Sequence, residues 1–247
     1  MQDKVIVGTG WYADSLGHNN MMASRELYKP NFFARWFRNV YAYFKPSGVI
    51  CYTSNCPQPI EDIGNLLKRF PWPYFSFINS ATPNKDLHHG HDGLAAIIAG
   101  ATHAYLNGSH FVYVEQDCMV HNLDRMIKEQ IAGQVMIGYG YGDNASFKEG
   151  WAEYSLLWVH NKFLKFFLTQ MVNKAPHTIK IPLPEYLLHD IFKDYVTPFR
   201  NGQGRLRPID FEQDWHYSQQ LTDKELAEYE DLGKITCEMR GQEYWVI

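Results

Sequence analysis

Short runs of apolar residues without polar alternation are the feature that most limits what this chain can fold into. A strand with one solvated face alternates apolar and polar residues, whereas several of these runs carry β-branched or aromatic residues without such alternation. Strands of this kind are buried on both faces, which predicts a mostly parallel sheet covered by helices. The predicted strands are residues 5–8, 48–52, 74–78, 111–115 and 135–139, with a further candidate at 155–159.

A helix is predicted between the third and fourth of these strands, over residues 92–106. Its larger apolar residues recur at the spacing of one helical face: Leu94, Ile97, Ile98, Ala101 and Tyr105. Small residues also occur along this helix, and Gly100 in particular would let a neighbouring strand or a ligand approach the backbone closely.

The second half of the chain has a less regular pattern. Helices are predicted over residues 161–171 and 185–195, and Thr222 with Glu225 forms a capping-box pattern that would open a short C-terminal helix. The glycine-rich segment 138–144 is expected to be a mobile loop. The expected fold class is α/β: one domain over residues 1–247, with a mostly parallel central sheet flanked by helices and an irregular C-terminal half.

Composition excludes several classes of protein. The chain has 23 Lys plus Arg against 27 Asp plus Glu and no basic run, so we do not expect a nucleic-acid partner. No apolar stretch approaches the length of a transmembrane segment, and the start lacks a signal-peptide pattern, so we expect a soluble, cytoplasmic protein. The four cysteines form no CxxC pair, so neither a disulfide framework nor a zinc site is expected.

The segment Glu115-Gln116-Asp117 carries the strongest chemical signal. It ends a predicted buried strand, and strand alternation would place Glu115 and Asp117 on one face with Gln116 on the other. Ligands of open parallel sheets bind at the edge where strands end. Two carboxylates repel each other unless a divalent cation lies beside them, so we expect Mn²⁺ or Mg²⁺ carrying a diphosphate. The alternative is that these acidic residues only form a turn or cap a helix.

In this region the chain resembles a known family. A helix containing Gly93, Ala96, Gly100 and Ala104 is followed by a short turn, an apolar strand and an acidic end. This succession is similar to the nucleotide-sugar-dependent glycosyltransferases of the A-type, Rossmann-like fold, whose metal-binding motif is D-x-D. In element order the resemblance covers residues 1–140, and its specific residues lie between 90 and 120. Glu115 replaces the first Asp of the motif, so it contacts the metal directly, contacts it through water, or contacts the ribose.

The resemblance implies roles for further residues. Asp117 would be the metal ligand, with Glu115 and Gln116 near the donor nucleotide. The exit loop of the first strand, residues 9–14 with Thr9, and the loop 53–58 would border the base and ribose. Asp92 and Gly93, at the start of the glycine-rich helix, would also contact the donor.

Two more roles are implied for the second half of the chain. His216 would complete the metal site begun by Asp117, because a neutral imidazole binds Mn²⁺ more readily than Mg²⁺. For transfer with inversion, Glu185, at a predicted helix start, would be the catalytic base that deprotonates the acceptor hydroxyl. The alternative is that the helix dipole alone favours Glu at this position. Asp190, Asp143 and Glu153 are rivals for that role. Trp151, Tyr154, Trp158 and Trp215 are candidates for an aromatic surface under a sugar ring; the alternative is that they belong to the core, which is the default for Trp158.

The resulting hypothesis is a metal-dependent glycosyltransferase. It would move a sugar from a nucleoside-diphosphate-sugar donor to a hydroxyl of a glycan, lipid-linked sugar or other acceptor. Residues 1–140 would bind the donor and residues 141–247 the acceptor. One alternative is a non-catalytic nucleotide-sugar-binding module of the same fold. Another is a sugar-nucleotide-forming nucleotidyltransferase, but Gly8-Thr-Gly10 is too short for a phosphate loop and no Lys or Arg follows closely.

Overall fold

A computed structural model gives the architecture. It describes residues 4–11, 24–29, 32–54, 75–80, 89–121, 135–138, 154–174, 184–194, 196–199, 202–203, 216–219 and 221–239. The predicted mobile loop at 138–144 lies outside these residues beyond Gly138, and so do the rival bases Asp143 and Glu153.

The main sheet has seven strands: β1 (Val5–Trp11), β2 (Gly48–Ser54), β3 (Phe75–Ser80), β4 (His110–Val114), β6 (Val135–Gly138), β7 (Leu156–Val159) and β8 (Val196–Phe199). They lie in the order β3-β2-β1-β4-β7-β6-β8. All pairings are parallel except the two made by β7. The sheet therefore confirms the predicted mostly parallel arrangement and all six predicted strands.

A second, three-stranded sheet follows the order β5-β10-β9. Its strands are β5 (Cys118–His121), β9 (Gly202–Gln203) and β10 (His216–Gln219). β10 pairs antiparallel with β5 and parallel with β9. None of these strands was predicted, since they are only two to four residues long and mostly lack an apolar run.

Five helices accompany the described strands. They are α1 (Phe32–Phe44), α2 (His89–Leu106), α3 (Leu164–Lys174), α4 (Pro184–Phe192) and α5 (Asp223–Met239), with 3₁₀ turns at Arg25–Tyr28 and Asn161–Phe163. The sequence analysis missed α1, and it predicted a short α5 that is in fact 17 residues long. None of the helices within the described ranges is long and apolar enough to cross a membrane.

Both faces of the main sheet are covered, as the missing polar alternation predicted. Val5 and Val7 of β1 pack in the cluster that includes α1 and α5, while Ile6 between them packs with α2, α3 and α4. Alternate residues of one strand thus enter two different cores.

Helix α2 crosses β1 at close range and in the opposite direction. A Cβ on Gly8 would lie 3.5 Å from the Cα of Gly100, and one on Gly10 would lie 3.7 Å from the Cβ of Ala96. The later residue of β1 therefore meets the earlier residue of α2, which places the first turns of α2 at the carboxyl end of β1. This confirms that the small residues of α2 permit a close strand approach.

Candidate functional site

The acidic segment forms a tight turn rather than the end of a strand. β4 ends at Val114, and the backbone N–H of Cys118 donates to the carbonyl of Glu115 (3.0 Å), which closes a β-turn over residues 115–118. The prediction of a strand through Glu115 is therefore wrong by one residue. Strand alternation also does not apply to Gln116 and Asp117, because the chain reverses there to enter β5.

Glu115 is fixed by three contacts from distant segments. Its Oε2 accepts a hydrogen bond from Ser155 Oγ (2.8 Å), and its backbone N–H donates to the Ser155 carbonyl (2.9 Å). Trp36 Nε1 of α1 donates to its backbone carbonyl (3.0 Å). Glu115 is only partly buried, so its carboxylate is held at the start of β7 while it retains some access to solvent.

Asp117 occupies the third position of the turn and is 7% exposed. Both Asp117 and Glu115 raise the pKa of Tyr113, so both carboxylates lie within electrostatic range of one phenol at the carboxyl end of β4. Carboxylates near one another repel, and a positive charge beside them offsets that repulsion. This electrostatic situation fits a divalent cation.

The two carboxylates of the acidic turn have the donor atoms that the expected metal prefers. Carboxylate oxygens suit Mg²⁺ and Mn²⁺, and Mg²⁺ is commonly held by one or two carboxylates together with phosphate and water oxygens. Within the described part of the chain, no group of three or more His, Cys, Asp or Glu residues could hold a metal. Asp117 and Glu115 are two carboxylates, so they could supply only part of the coordination shell of such a cation.

Tyr113 and Tyr154 join the same edge. The Tyr113 hydroxyl is fully buried and accepts a hydrogen bond from the Gly10 backbone N–H (3.3 Å). Burial, and then the Glu115 carboxylate, raise the pKa of Tyr113 well above its usual value, so the phenol stays neutral near pH 7 and keeps a proton to donate. The Tyr154 ring lies 5.9 Å from the Tyr113 ring, and a Cβ on Gly93 would lie 2.9 Å from its hydroxyl.

These contacts bring four elements together at one sheet edge: the end of β1, the start of α2, the turn after β4 and the start of β7. Tyr113 and Ser155 were not identified from the sequence. The position of Tyr113, two residues before Glu115, was the available signal, because alternate strand residues share a face.

Two of the residues predicted as an aromatic surface lie in the described part of the chain. Trp158 belongs to the core, since it is 1% exposed and stacks on Phe44. Tyr154 is 8% exposed and lies beside Gly93.

Three residues assigned to the donor lie in different surroundings. Thr9 is completely buried within β1, which extends to Trp11, so the predicted exit loop begins later than expected. Gln116 is 6% exposed and its Nε2 donates to the Leu27 carbonyl (3.3 Å), which ties the turn to the 3₁₀ segment. Gly93 lies in the second turn of α2 at the edge described above, and the side chain of Asp92 is outside the described residues.

The backbone pairing does not bring His216 to Asp117. His216 lies opposite His121, whereas Gln219 lies opposite Cys118, the residue next to Asp117. At about 3.3 Å per strand residue, this register separates the main chains of His216 and Asp117 by roughly 10 Å or more. Its role as a metal ligand stays a prediction that the register does not favour.

Glu185 begins α4 as predicted. It lies in the first turn of the helix Pro184–Phe192 and is partly buried, with its Oε2 shielded from solvent. Its rival Asp190 is 59% exposed and paired with Lys174 Nζ (2.7 Å). The hydrogen bond from Lys174 lowers the pKa of Asp190, which makes that carboxylate a weaker proton acceptor.

Structural comparison identifies the fold. The chain is similar to the galactosyltransferase LgtC in complex with donor and acceptor sugar analogues, with a TM-score of 0.51 and 10% identity. The match covers 96% of this chain and 99% of LgtC. No protein-family model matches the sequence, and no curated protein sequence matches it either.

Two further solved structures are similar at a lower level. The glycosyltransferase GlyE of Streptococcus pneumoniae has a TM-score of 0.48 at 11% identity. The match covers 81% of this chain but only 45% of the GlyE chain. A nucleoside-diphosphate-sugar pyrophosphorylase of Vibrio cholerae has a TM-score of 0.49 at 8% identity, covering 91% of this chain and 98% of its own. From the likeness to LgtC, the chain has the A-type glycosyltransferase fold, a mostly parallel, Rossmann-like sheet flanked by helices.

Proposed function

We propose that this chain, with its A-type fold, is a metal-dependent glycosyltransferase that moves a sugar from a nucleoside-diphosphate-sugar donor to a hydroxyl of a glycan, a lipid-linked sugar or another acceptor. The observation that carries the proposal is the position of Glu115 and Asp117. They form the turn after the parallel strand β4, at the sheet edge where ligands of such folds bind. LgtC, which was solved with donor and acceptor sugar analogues, shares the fold.

Asp117 is proposed as the main metal ligand, with Glu115 supporting the cation or the donor. A bound Mn²⁺ or Mg²⁺ would neutralise charge on the departing diphosphate. The chain itself contributes orientation: Ser155 Oγ and the Ser155 carbonyl fix the side chain and the backbone of Glu115, respectively. Fixed carboxylates need little rearrangement when the donor binds.

Tyr113 is proposed to support the donor-binding edge from the core. Its buried hydroxyl accepts the Gly10 N–H, which fixes the end of β1 beside the acidic turn. Because the phenol stays protonated, it adds no negative charge beside Glu115 and Asp117.

Glu185 is proposed as the base that accepts the proton of the acceptor hydroxyl. Glu185 lies in the first turn of α4 and is partly buried, with its Oε2 shielded from solvent and part of the residue still accessible. Asp190 has the opposite character, since it is exposed and paired with Lys174.

Close packing explains why residues 8 and 10 are glycines, without the phosphate-binding role that they would have in a nucleotidyltransferase. Gly8 approaches Gly100 and Phe111, and Gly10 approaches the Tyr113 hydroxyl and Ala96. Their small size serves the contact between β1 and α2, so the segment Gly8-Thr-Gly10 gives no support to a phosphate loop.

The test is donor turnover. Sugar nucleotides with uridine, guanosine, thymidine and cytidine bases are incubated with the purified chain, with and without Mn²⁺, and free nucleoside diphosphate is measured. At least one donor is expected to be hydrolysed slowly, and only with the cation. Binding of a donor without turnover, even with mixed sugar acceptors, would instead indicate a non-catalytic binding module. Release of nucleoside triphosphate from a donor and pyrophosphate would indicate a nucleotidyltransferase.

A further inference from the structure

Helix α1 holds the main chain on both sides of Asp117. Trp36 and Asn39 are three residues apart and therefore lie on the same face of α1. Trp36 Nε1 donates to the carbonyl of Glu115, two residues before Asp117. Asn39 binds the main chain of Val120, three residues after it.

Asn39 bonds to the edge strand β5 in the way that a neighbouring strand would. Its Nδ2 donates to the Val120 carbonyl (2.9 Å), and its Oδ1 accepts from the Val120 N–H (2.8 Å). Val120 belongs to β5, which is an edge strand of the described small sheet. The side-chain amide of Asn39 thus bonds the N–H and the carbonyl of Val120, on the side of β5 that faces away from β10.

Both side chains are deeply buried and well packed. Trp36 is 0% exposed and Asn39 is 6% exposed, and Trp36 packs against Phe33 within the aromatic core. Side chains fixed in this way can hold a hydrogen-bonded loop in one position, because the surrounding core leaves few other rotamers. Buried main-chain groups would lose their partners if either contact were removed.

We propose that Trp36 and Asn39 are positioning residues for the acidic turn, setting the place of the Asp117 and Glu115 carboxylates relative to the bound cation. This inference rests on the proposed function, because it assigns a purpose to the rigidity of a turn that would hold the metal. Residues that orient metal ligands commonly change metal affinity about 10- to 100-fold when they are replaced. The function of α1 therefore extends beyond covering one face of the sheet.

Two variants and one control test the proposal. Trp36→Phe removes the N–H donor and keeps an aromatic ring, whereas Asn39→Leu removes the amide and keeps a similar volume. Phe44→Leu is the control: Phe44 lies on the same helix, is 4% exposed and stacks on Trp158, away from the acidic turn. Trp36→Phe is the milder change and provides the result if Asn39→Leu does not fold.

The first readout needs no ligand. Amide hydrogen exchange is measured on peptides spanning residues 115–121 in the free chain. Trp36→Phe and Asn39→Leu are expected to speed exchange in this segment more than Phe44→Leu does, after correction for the loss in melting temperature. Equal exchange in all three variants would overturn the positioning role.

The second readout is Mn²⁺ affinity in the presence of whichever of UDP, GDP, TDP and CDP binds the wild-type chain. The two turn variants are expected to bind Mn²⁺ about 10-fold more weakly, with Phe44→Leu unchanged. Wild-type affinity in Trp36→Phe and Asn39→Leu would overturn the positioning role and leave the proposed function intact. If the wild-type chain binds no nucleoside diphosphate with Mn²⁺, the proposed function fails and the inference fails with it.

Discussion

Gly100 of α2 and Gly8 of β1 approach so closely that a Cβ on Gly100 would lie 3.3 Å from the Cα of Gly8, tighter than an ordinary van der Waals contact. The same Cβ would lie 2.5 Å from Cε2 of Phe111, a fully buried side chain of β4. This contact sets the distance between α2 and the sheet, and it brings the start of α2 to the edge that carries Glu115 and Asp117.

Gly100→Ala is expected to destabilise the protein by about 1–2 kcal/mol, because overpacking a core outweighs the higher helix propensity of alanine. Phe111→Leu should destabilise the Gly100→Ala variant less than it destabilises the wild type, because the smaller side chain makes room for the new methyl group. Urea denaturation of the single and double variants measures both effects. Gly108→Asn is the control: Gly108 has φ +62°, a Cβ there would meet nothing within 4 Å, and asparagine tolerates this conformation. A Gly100→Ala variant as stable as the wild type would contradict the close contact.

Thr222→Ala should lower the free energy of unfolding by about 1 kcal/mol. Thr222 Oγ1 accepts the backbone N–H of Glu225 (3.3 Å), and Glu225 Oε2 accepts the backbone N–H of Thr222 (2.7 Å), which confirms the predicted capping box. Thr222→Ser keeps the hydroxyl and should lose much less. Chemical denaturation with both variants checks this, and equal losses would show that the hydroxyl does not stabilise α5.

Alkaline pH should destabilise the protein partly through Tyr113. Burial raises the pKa of Tyr113, so above about pH 10 the unfolded chain releases a proton that the native state keeps. The native state then binds more protons than the unfolded state, and the free energy of unfolding falls as pH rises. Tyr113→Phe should flatten this slope by up to about 1.4 kcal/mol per pH unit and leave the slope below pH 9 unchanged. Denaturation from pH 8 to 11 measures this slope; an unchanged alkaline slope in Tyr113→Phe would contradict the burial of this phenol.

Burial also raises the pKa of Tyr229, so Tyr229→Phe should flatten the alkaline slope in the same direction.

Glu185→Gln and Asp190→Asn should separate the two candidate bases on α4. Glu185→Gln is expected to lower sugar transfer by about 100-fold or more while nucleotide binding is kept. Asp190→Asn should leave transfer unchanged and cost no more than about 0.5 kcal/mol, since it removes only an exposed ion pair with Lys174. Transfer rates and nucleotide affinity are compared in the same preparations. Full transfer activity in Glu185→Gln would remove this residue from the mechanism.

The sequence predicted the parts of the fold that rest on apolar periodicity. Strands such as β1 and β4 are continuous apolar runs, and α2 shows a clear apolar face. Helix α1 was missed because seven of its 13 residues are Phe, Trp or Tyr, and aromatic residues also favour strands. Its helical spacing was visible at Phe33, Trp36, Phe37 and Val40, and it was not recognised.

The candidate site was only partly predictable. Glu115 and Asp117 stood out because acidic residues directly follow an apolar strand. The groups that hold them did not, because they are distant in sequence: Ser155 is 40 residues after Glu115, and Trp36 is 79 residues before it. Such contacts depend on sheet order and helix packing, which no local pattern reports.

The most direct test of the metal site compares the thermal stabilisation of the wild-type chain and Asp117→Asn by UDP, GDP, TDP and CDP. A ligand at 100 times its Kd adds about 2.7 kcal/mol, which corresponds to a rise of roughly 5–10 °C in melting temperature for a chain of this size. We expect at least one diphosphate to stabilise the wild type only when Mn²⁺ is present, and Asp117→Asn to fold but to show no such rise. Equal stabilisation of the two proteins, or no stabilisation of the wild type with any divalent cation, would contradict this expectation.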